Sequence, residues 1–381
     1  MSKRNSRAVA AAAVVAGLGV LGASLFSMPF APKAAEKYKI YLSMSYVGND
    51  WQTESENNIK AMAESAGLKD KVSLEVQVAG PNAERQIQQI NAMVQAGANA
   101  IVTFPISPTA LNQVVKNACD KGVKVFAYDA EITEPCAYNT HIDQTEAGRV
   151  TAEWLAKAMG GKGNLVILTG VPGTSVDTQR TAAAKEVFAK YPDIHIVASA
   201  VGMWSQAVAR TELTKILATH PWNTINGLWL QVGCYTAASM QAEAGIPDEK
   251  MIPCAGEGSN GHRVQMLAKG TDVDGAHDTY RPMGYPSISY ASPPYSGALA
   301  LKRVVDILDG KDVPHLISLP LPVYTNETSK LCVEGTWKEM AGGCSAFKPS
   351  LIKNPGWFAA IYSPDTPEIG VQAALGGKPE M

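Results

Sequence analysis

The sequence predicts an α/β protein built on parallel sheets. Three observations carry this. First, short β-type runs alternate with helical patterns of roughly 10–15 residues across residues 38–323, the signature of βαβ units. Second, helical patterns end on glycine at Gly97, Gly122 and Gly160, where a left-handed cap needs no side chain. Third, 381 residues hold more strand–helix units than one small open sheet accommodates, so two sheets of about five strands each fit the length. A (β/α) barrel is the rival architecture. The composition, 46% hydrophobic and 18% charged, excludes long-range disorder.

The elements follow in order. Runs at 38–44, 72–78, 99–104 and 123–128 are strands, since apolar residues alternate or run on between turn residues. Helices are expected at 50–66, 84–96 and 108–121. In the second of these Ile87, Ile90 and Val94 share one face. The rhythm continues with helix 145–159, strand 164–169, helix 176–190, strand 194–200 and helix 205–218. Strand 227–231, helix 235–244, strand 251–255 and helix 260–268 come next. Residues 271–292 are rich in Gly, Pro, Tyr and Asp and carry no expected element. Helix 296–308 and a β run at 316–323 close the pattern. The rest holds little periodicity and is expected to be an irregular extension.

Charge is unevenly placed. Lys3, Arg4, Arg7 and Lys33 are four of the 33 bases, and no acid occurs before Glu36. Without them, 29 bases face 35 acids, a formal charge of −6. That balance argues against nucleic acid as a partner. Residues 8–32 are uncharged and mostly Ala, Val, Gly and Leu. A positive start, an apolar middle and small residues at Ala34 and Ala35 describe a secretory signal peptide over 1–35. An uncleaved anchor is the rival reading, but the Ala/Gly richness, Pro29 and Pro32 favour removal. The body is expected to be soluble and exported. Six cysteines allow 15 pairings. The sequential one, Cys119/Cys136, Cys234/Cys254 and Cys332/Cys344, is the working hypothesis in an oxidising compartment. The last pair would pin the extension.

In parallel α/β sheets, ligands gather beyond the carboxyl ends of the strands. The residues there are Ser43, Asn49, Asp50 and Trp51, then Phe104, Asp129, Asp143 and Gln144. Farther along come Arg180, Trp204, Gln231 and Glu257. Aromatic faces beside planar polar groups suit a neutral polyhydroxylated ligand, whose C–H faces stack while its hydroxyls are bonded. Singly, each has a plainer reading: Asp50 and Asp143 also suit helix caps. Gly-x-Ser-x-Gly, His-Glu-x-x-His and phosphate-loop patterns are absent. No metal or cofactor is called for.

Three segments then carry a resemblance. They are Gly170-Val-Pro-Gly-Thr-Ser-Val-Asp-Thr-Gln-Arg180, Met203-Trp204-Ser205 through Thr219-His220-Pro221, and Val125-Phe126-Ala127-Tyr128-Asp129. The body, over roughly 38–323, resembles periplasmic sugar-binding proteins of the ribose-binding type, the soluble components of ABC importers. The resemblance implies two similar doubly wound parallel-sheet lobes joined by a three-crossing hinge, with the ligand in the cleft between them. Lobe 1 would comprise 36–142 with 293–318, lobe 2 143–292 with 319–324, and the extension 325–381.

By the same resemblance, Trp51 and Trp204 would sandwich the ligand. Asp129 and Arg180 would fix its polar edge, with Glu257 and Asp143 secondary. Ser43, Asn49, Asp50 and Gln231 complete the candidate binding set. The chain departs from the family pattern at Ala130 (usually Arg), Val232-Gly233 (usually Asn-Asp) and Glu257 (usually Asp). These changes point to a different sugar, a polyol or another small polar metabolite. The implied setting is periplasmic, as a monomer that docks on an ABC permease and performs no catalysis. A ligand sensor for a chemoreceptor or histidine kinase is the alternative. A secreted hydrolase using Asp129 and Glu257 is a remote one. Repressors of the lac type share the fold, but a leader of this kind and the acidic body speak against DNA.

Overall fold

A computed structural model describes residues 36–358 and 360–380; the expected signal peptide lies outside the described residues. The chain begins β1 (Tyr38–Met44), α1 (Asp50–Glu64), β2 (Val72–Val78), α2 (Ala83–Gln95) and β3 (Ala100–Phe104). It continues with α3 (Asn112–Asp120), β4 (Lys124–Tyr128) and β5 (Tyr138–His141). A second series follows: α4 (Gln144–Ala158), β6 (Lys162–Thr169), α5 (Ser175–Phe188), β7 (Asp193–Val201) and α6 (Gln206–Leu217). It ends with β8 (Gly227–Leu230), α7 (Cys234–Glu243), β9 (Cys254–Glu257), α8 (Asn260–Met266) and β10 (Ser287–Tyr290). Then come α9 (Ser296–Leu308), β11 (Leu316–Ser318) and β12 (Val323–Thr325). The extension carries β13 (Leu331–Cys332), α10 (Trp337–Ala341), β14 (Ala346–Phe347) and α11 (Val371–Gly376).

Two six-stranded sheets result, ordered β11-β5-β4-β3-β1-β2 and β12-β10-β9-β8-β6-β7. Apart from the added edge strands β11 and β12, each sheet has the same doubly wound order, with one switch point between β1 and β3 and another between β6 and β8. All pairings in these sheets are parallel except β10 with β12. This is the fold class expected from the sequence, two parallel-sheet α/β lobes. The central strands are buried on both faces, as β3 shows along its whole length, which explains why they read as continuous apolar runs. Most helices open on a side-chain cap. Asn49, Asn82, Asp143, Thr174, Ser205 and Ser259 each accept from a backbone N–H in the first turn.

The structure differs from the sequence reading in four places. Strand β5 was not expected, because four residues carry little pattern. Strand β10 lies inside the stretch read as irregular. The run 316–323 is two strands on different sheets, divided at Pro320 and Pro322, which cannot donate to a ladder. The extension is not structureless: β13 pairs β14 in parallel, and α11 packs against α1. The three disulfides join Cys119–Cys136, Cys234–Cys254 and Cys332–Cys344. Among the described residues no helix is long and apolar enough to cross a membrane.

The chain passes between the sheets at Ile142–Asp143, at 291–295 and at 319–322. These three short links leave the carboxyl ends of both sheets facing a shared cleft.

Candidate functional site

A pocket of about 270 Å³ lies in that cleft, near the low end of the range for small-molecule sites. Its walls come from the two topological switch points. Asn49, Trp51 and Gln52 follow β1, and Phe104 ends β3. Across the cleft, Val176 and Arg180 stand in the helix after β6, and Val232 follows β8. Asp129 after β4, Trp204 after β7 and Glu257 at the end of β9 complete the strand-end set. Phe358, from the extension, also lines the pocket.

Phe104 touches both tryptophans. Its ring centre is 6.1 Å from that of Trp51 and 6.4 Å from that of Trp204, edge-on to the latter. Each indole is also fixed through its nitrogen. Trp51 Nε1 donates to Ser292 O at 2.8 Å, and Trp204 Nε1 to Gln231 Oε1 at 2.7 Å. Gly170 is required behind Trp204, since a Cβ there would lie 2.1 Å from the indole. Two pocket residues are strained: Asp129 has φ +59° and Trp204 φ +52°. Non-glycine residues hold such angles only where the surroundings over-determine them, and they concentrate at binding and active sites.

The polar groups form a closed network across both lobes and the hinge. Arg180 Nη1 pairs with Glu257 Oε2 at 2.9 Å, and its Nε donates to Gln144 Oε1 at 2.7 Å. Gln144 Nε2 donates to Asp129 Oδ1 at 3.2 Å. The Ser292 hydroxyl donates to Asp129, while its N–H donates to Glu257 Oε1 at 3.0 Å. The Arg180 guanidinium also lies 4.9 Å above the Tyr290 ring. One donor is left over: Arg180 Nη2 is buried without a partner. A buried donor beside an aromatic pocket is costly unless a ligand or water meets it.

Burial pushes both carboxyls up, and Arg180 opposes this; Glu257 reaches about 7, with Asp129 adding to its rise. Two carboxylates facing one guanidinium cannot both ionise cheaply. The consequence for stability has a definite sign. Between about 4.5 and 7 the folded state holds a proton at Glu257 that the unfolded chain has released, so stability falls as pH rises through that window. The other charged or titratable groups facing Glu257 are Arg180, Asp129, Tyr290 and Arg263. Urea unfolding of wild type and Glu257→Gln from pH 5 to 8 is expected to show a slope of a few kcal/mol over this range in the wild type, reduced in the variant. Equal slopes would remove Glu257 as its source. Buried Glu54, also raised, contributes equally to both proteins.

Of the candidates read from the sequence, Asn49, Trp51, Asp129, Arg180, Trp204 and Glu257 line the pocket together. The other four do not. Ser43 is fully buried beneath α2, where Gln86 Nε2 donates to it at 3.2 Å. Asp50 Oδ1 accepts from Asn354 of the extension at 2.8 Å. Asp143 is exposed and caps α4 through Glu146 N–H at 2.9 Å. Gln231 stands behind Trp204, with its Nε2 donating to Asp177 Oδ1 at 2.9 Å and Thr181 Oγ1 at 2.8 Å. Gln52, Phe104, Val176, Val232 and Phe358 line the pocket without having been chosen. Phe104 and Val232 follow from strand ends; Phe358 carries no signal in its aperiodic segment. Among the described residues no acidic, His or Cys cluster suits a metal ion.

Comparison with known proteins places this geometry. The family model described as "Periplasmic binding protein domain" matches residues 40–312. The Xylitol-binding protein of Mycolicibacterium smegmatis is 31% identical over 135 residues, covering 35% of this chain and 39% of that protein. The Galactofuranose-binding protein YtfQ of Escherichia coli is 28% identical over 183 residues, covering 46% and 56%. The matches thus span less than two thirds of either relative. A solved ABC transporter solute binding protein from Thermobispora bispora shares the fold at TM-score 0.67 and 24% identity, covering 91% of this chain and 98% of its own. With a family match over residues 40–312 and two doubly wound lobes meeting at a shared pocket, the chain belongs to the periplasmic binding protein family.

Proposed function

We propose that the chain is an exported solute-binding protein that captures a small sugar or polyol between its lobes and delivers it to an ABC importer. One observation carries the reading: Arg180, buried among aromatic rings at the two switch points, keeps an unpartnered Nη2 beside two carboxylates. Rings at Trp51, Phe104 and Trp204 offer faces for the ligand's C–H groups. Asp129 and Glu257 accept from hydroxyls, and Arg180 donates to an oxygen. Relatives named for xylitol and galactofuranose support this ligand class.

Binding needs no covalent step, and the mechanism is closure of the lobes about the hinge. Lobe 1 is 36–142 with 293–318 and lobe 2 is 143–292 with 319–324; residues 1–35 are a removed signal peptide. One copy supplies every wall of the pocket, so a monomer suffices, and a membrane permease is its docking partner. Presentation to a sensor kinase would use the same binding chemistry with a different docking partner.

The test is a thermal-shift and calorimetric screen of aldopentoses, aldohexoses, pentitols, hexitols and cyclitols. A ligand at 100 times its dissociation constant is expected to add about 2.7 kcal/mol of stability. A screen in which no sugar or polyol stabilises the protein would overturn the ligand class. Chemical change in a recovered ligand would overturn the binding-only reading.

A further inference from the structure

The extension makes a fourth passage between the lobes. It starts on lobe 2, where Phe347 N–H donates to Asn260 Oδ1 at 2.7 Å and Asn260 Nδ2 donates back to Phe347 O at 2.8 Å. Ser350 Oγ donates to Asp274 at 2.6 Å nearby. It ends on lobe 1, where Asn57 Nδ2 donates to Ala374 O at 2.9 Å and Lys302 Nζ to Asp365 O at 2.8 Å. Between these anchors, residues 354–358 are held by both lobes at once.

On the lobe 1 side, Asn354 Nδ2 donates to Asp50 Oδ1 at 2.8 Å, and Phe358 N–H to Glu54 Oε2 at 2.9 Å. On the lobe 2 side, Asn260 N–H donates to Trp357 O at 2.5 Å and Gly261 N–H to Pro355 O at 2.8 Å. Phe358 further forms a β-bridge with Ser259. Close approach on each side depends on a missing side chain. A Cβ at Gly356 would lie 1.9 Å from the Asp50 carboxylate, and one at Gly261 2.6 Å from Pro355. The segment therefore fits this one closed arrangement. The Phe358 side chain, 2% exposed, enters the pocket at its centre.

We propose that residues 354–358 form a strap across the cleft and that Phe358 is a ligand-contacting residue that limits ligand size. The proposal rests on the sugar-or-polyol reading of the pocket. Phe358 has no hydrogen-bonding group, so the ligand must present C–H surface there. A hydroxyl forced against the ring would lose its water without a replacement partner. Entry and exit require the strap to release one lobe, because its bonds to α1 and α8 cannot all persist when the lobes part.

The experiment compares wild type, Phe358→Leu and Phe358→Ala by calorimetry against D-xylose, D-ribose, xylitol, D-galactose, D-glucose and galactitol. Melting temperatures identify any variant that does not fold, and the leucine variant keeps most of the apolar volume. The wild type is expected to bind at least one ligand, and Phe358→Leu to weaken it tenfold or more. The affinity ratio should shift at least fivefold toward six-carbon ligands. Amide hydrogen exchange at Asn260, Gly261 and Phe358 should slow at least tenfold on ligand binding. Unchanged affinities and ranking in a folded variant, or exchange indifferent to ligand, overturn the strap while leaving the sugar reading standing. A wild type that binds none of the panel overturns the sugar reading, and the role of Phe358 with it.

Discussion

Replacing Arg180 with methionine is expected to destabilise the protein by about 3–5 kcal/mol and to abolish measurable ligand binding. The residue is 1% exposed and pairs with Glu257. Methionine keeps much of the volume, so the cavity cost is small. What is lost is the cation facing two buried carboxyls, Asp129 and Glu257. Removing one partner of a buried pair leaves the other charge desolvated and uncompensated. Arg180 now opposes the rise of both acids, so without it they climb further. They are then protonated in the folded state at pH 5 and costly to ionise at pH 8. The destabilisation should therefore grow with pH. Urea midpoints at the two values check this, and equal losses at both would show that Arg180 acts through packing alone. Binding should vanish at either pH, because the unpartnered Nη2 goes with the side chain.

Trp204→Ala is expected to weaken ligand binding at least tenfold while the protein stays folded at 25 °C. The indole is 6% exposed, meets Phe104 edge-on and bonds Gln231 through Nε1. Truncating a buried tryptophan typically costs about 3–5 kcal/mol. Loss of the indole also strands Gln231 Oε1. Trp204 adopts φ +52°, which alanine tolerates no better, so Trp204→Gly should be the more stable of the two truncations. Calorimetry and circular dichroism separate the outcomes. Unchanged affinity in Trp204→Ala would remove the indole from the binding surface. A folded Trp204→Phe with intermediate affinity would divide the ring's contribution from that of its nitrogen.

How much of the site was legible depends on how each residue reaches it. Asn49, Trp51, Asp129, Arg180, Trp204 and Glu257 each sit beside a strand end, so the alternation of strands and helices suffices to place them. Ser43 and Gln231 share that local address, yet one points beneath α2 and the other supports an indole. Side chains alternate along a strand, and the register that selects the cleft side is set by neighbours. Asp50 and Asp143 are polar residues at helix starts, where capping and ligand binding look alike in sequence. Ser292 lies in a Pro-rich stretch without periodicity, but the structure makes it the hinge residue bonded to Trp51, Asp129 and Glu257.

The sequence by itself determined the α/β class, the strand and helix order through α8, and most residues that line the cleft. These depend on local periodicity, capping and chain length, which act over a few residues. The lobe assignment of β11 and β12 was decided only when Pro320 and Pro322 parted one apolar run between two sheets. The closing of Arg180, Gln144, Asp129, Ser292 and Glu257 into one network was decided by tertiary packing. So was the arrival of Phe358 from a segment with no pattern of its own. In each case the deciding contact joins groups far apart in sequence, and its energy exists only once both sheets are folded and facing each other.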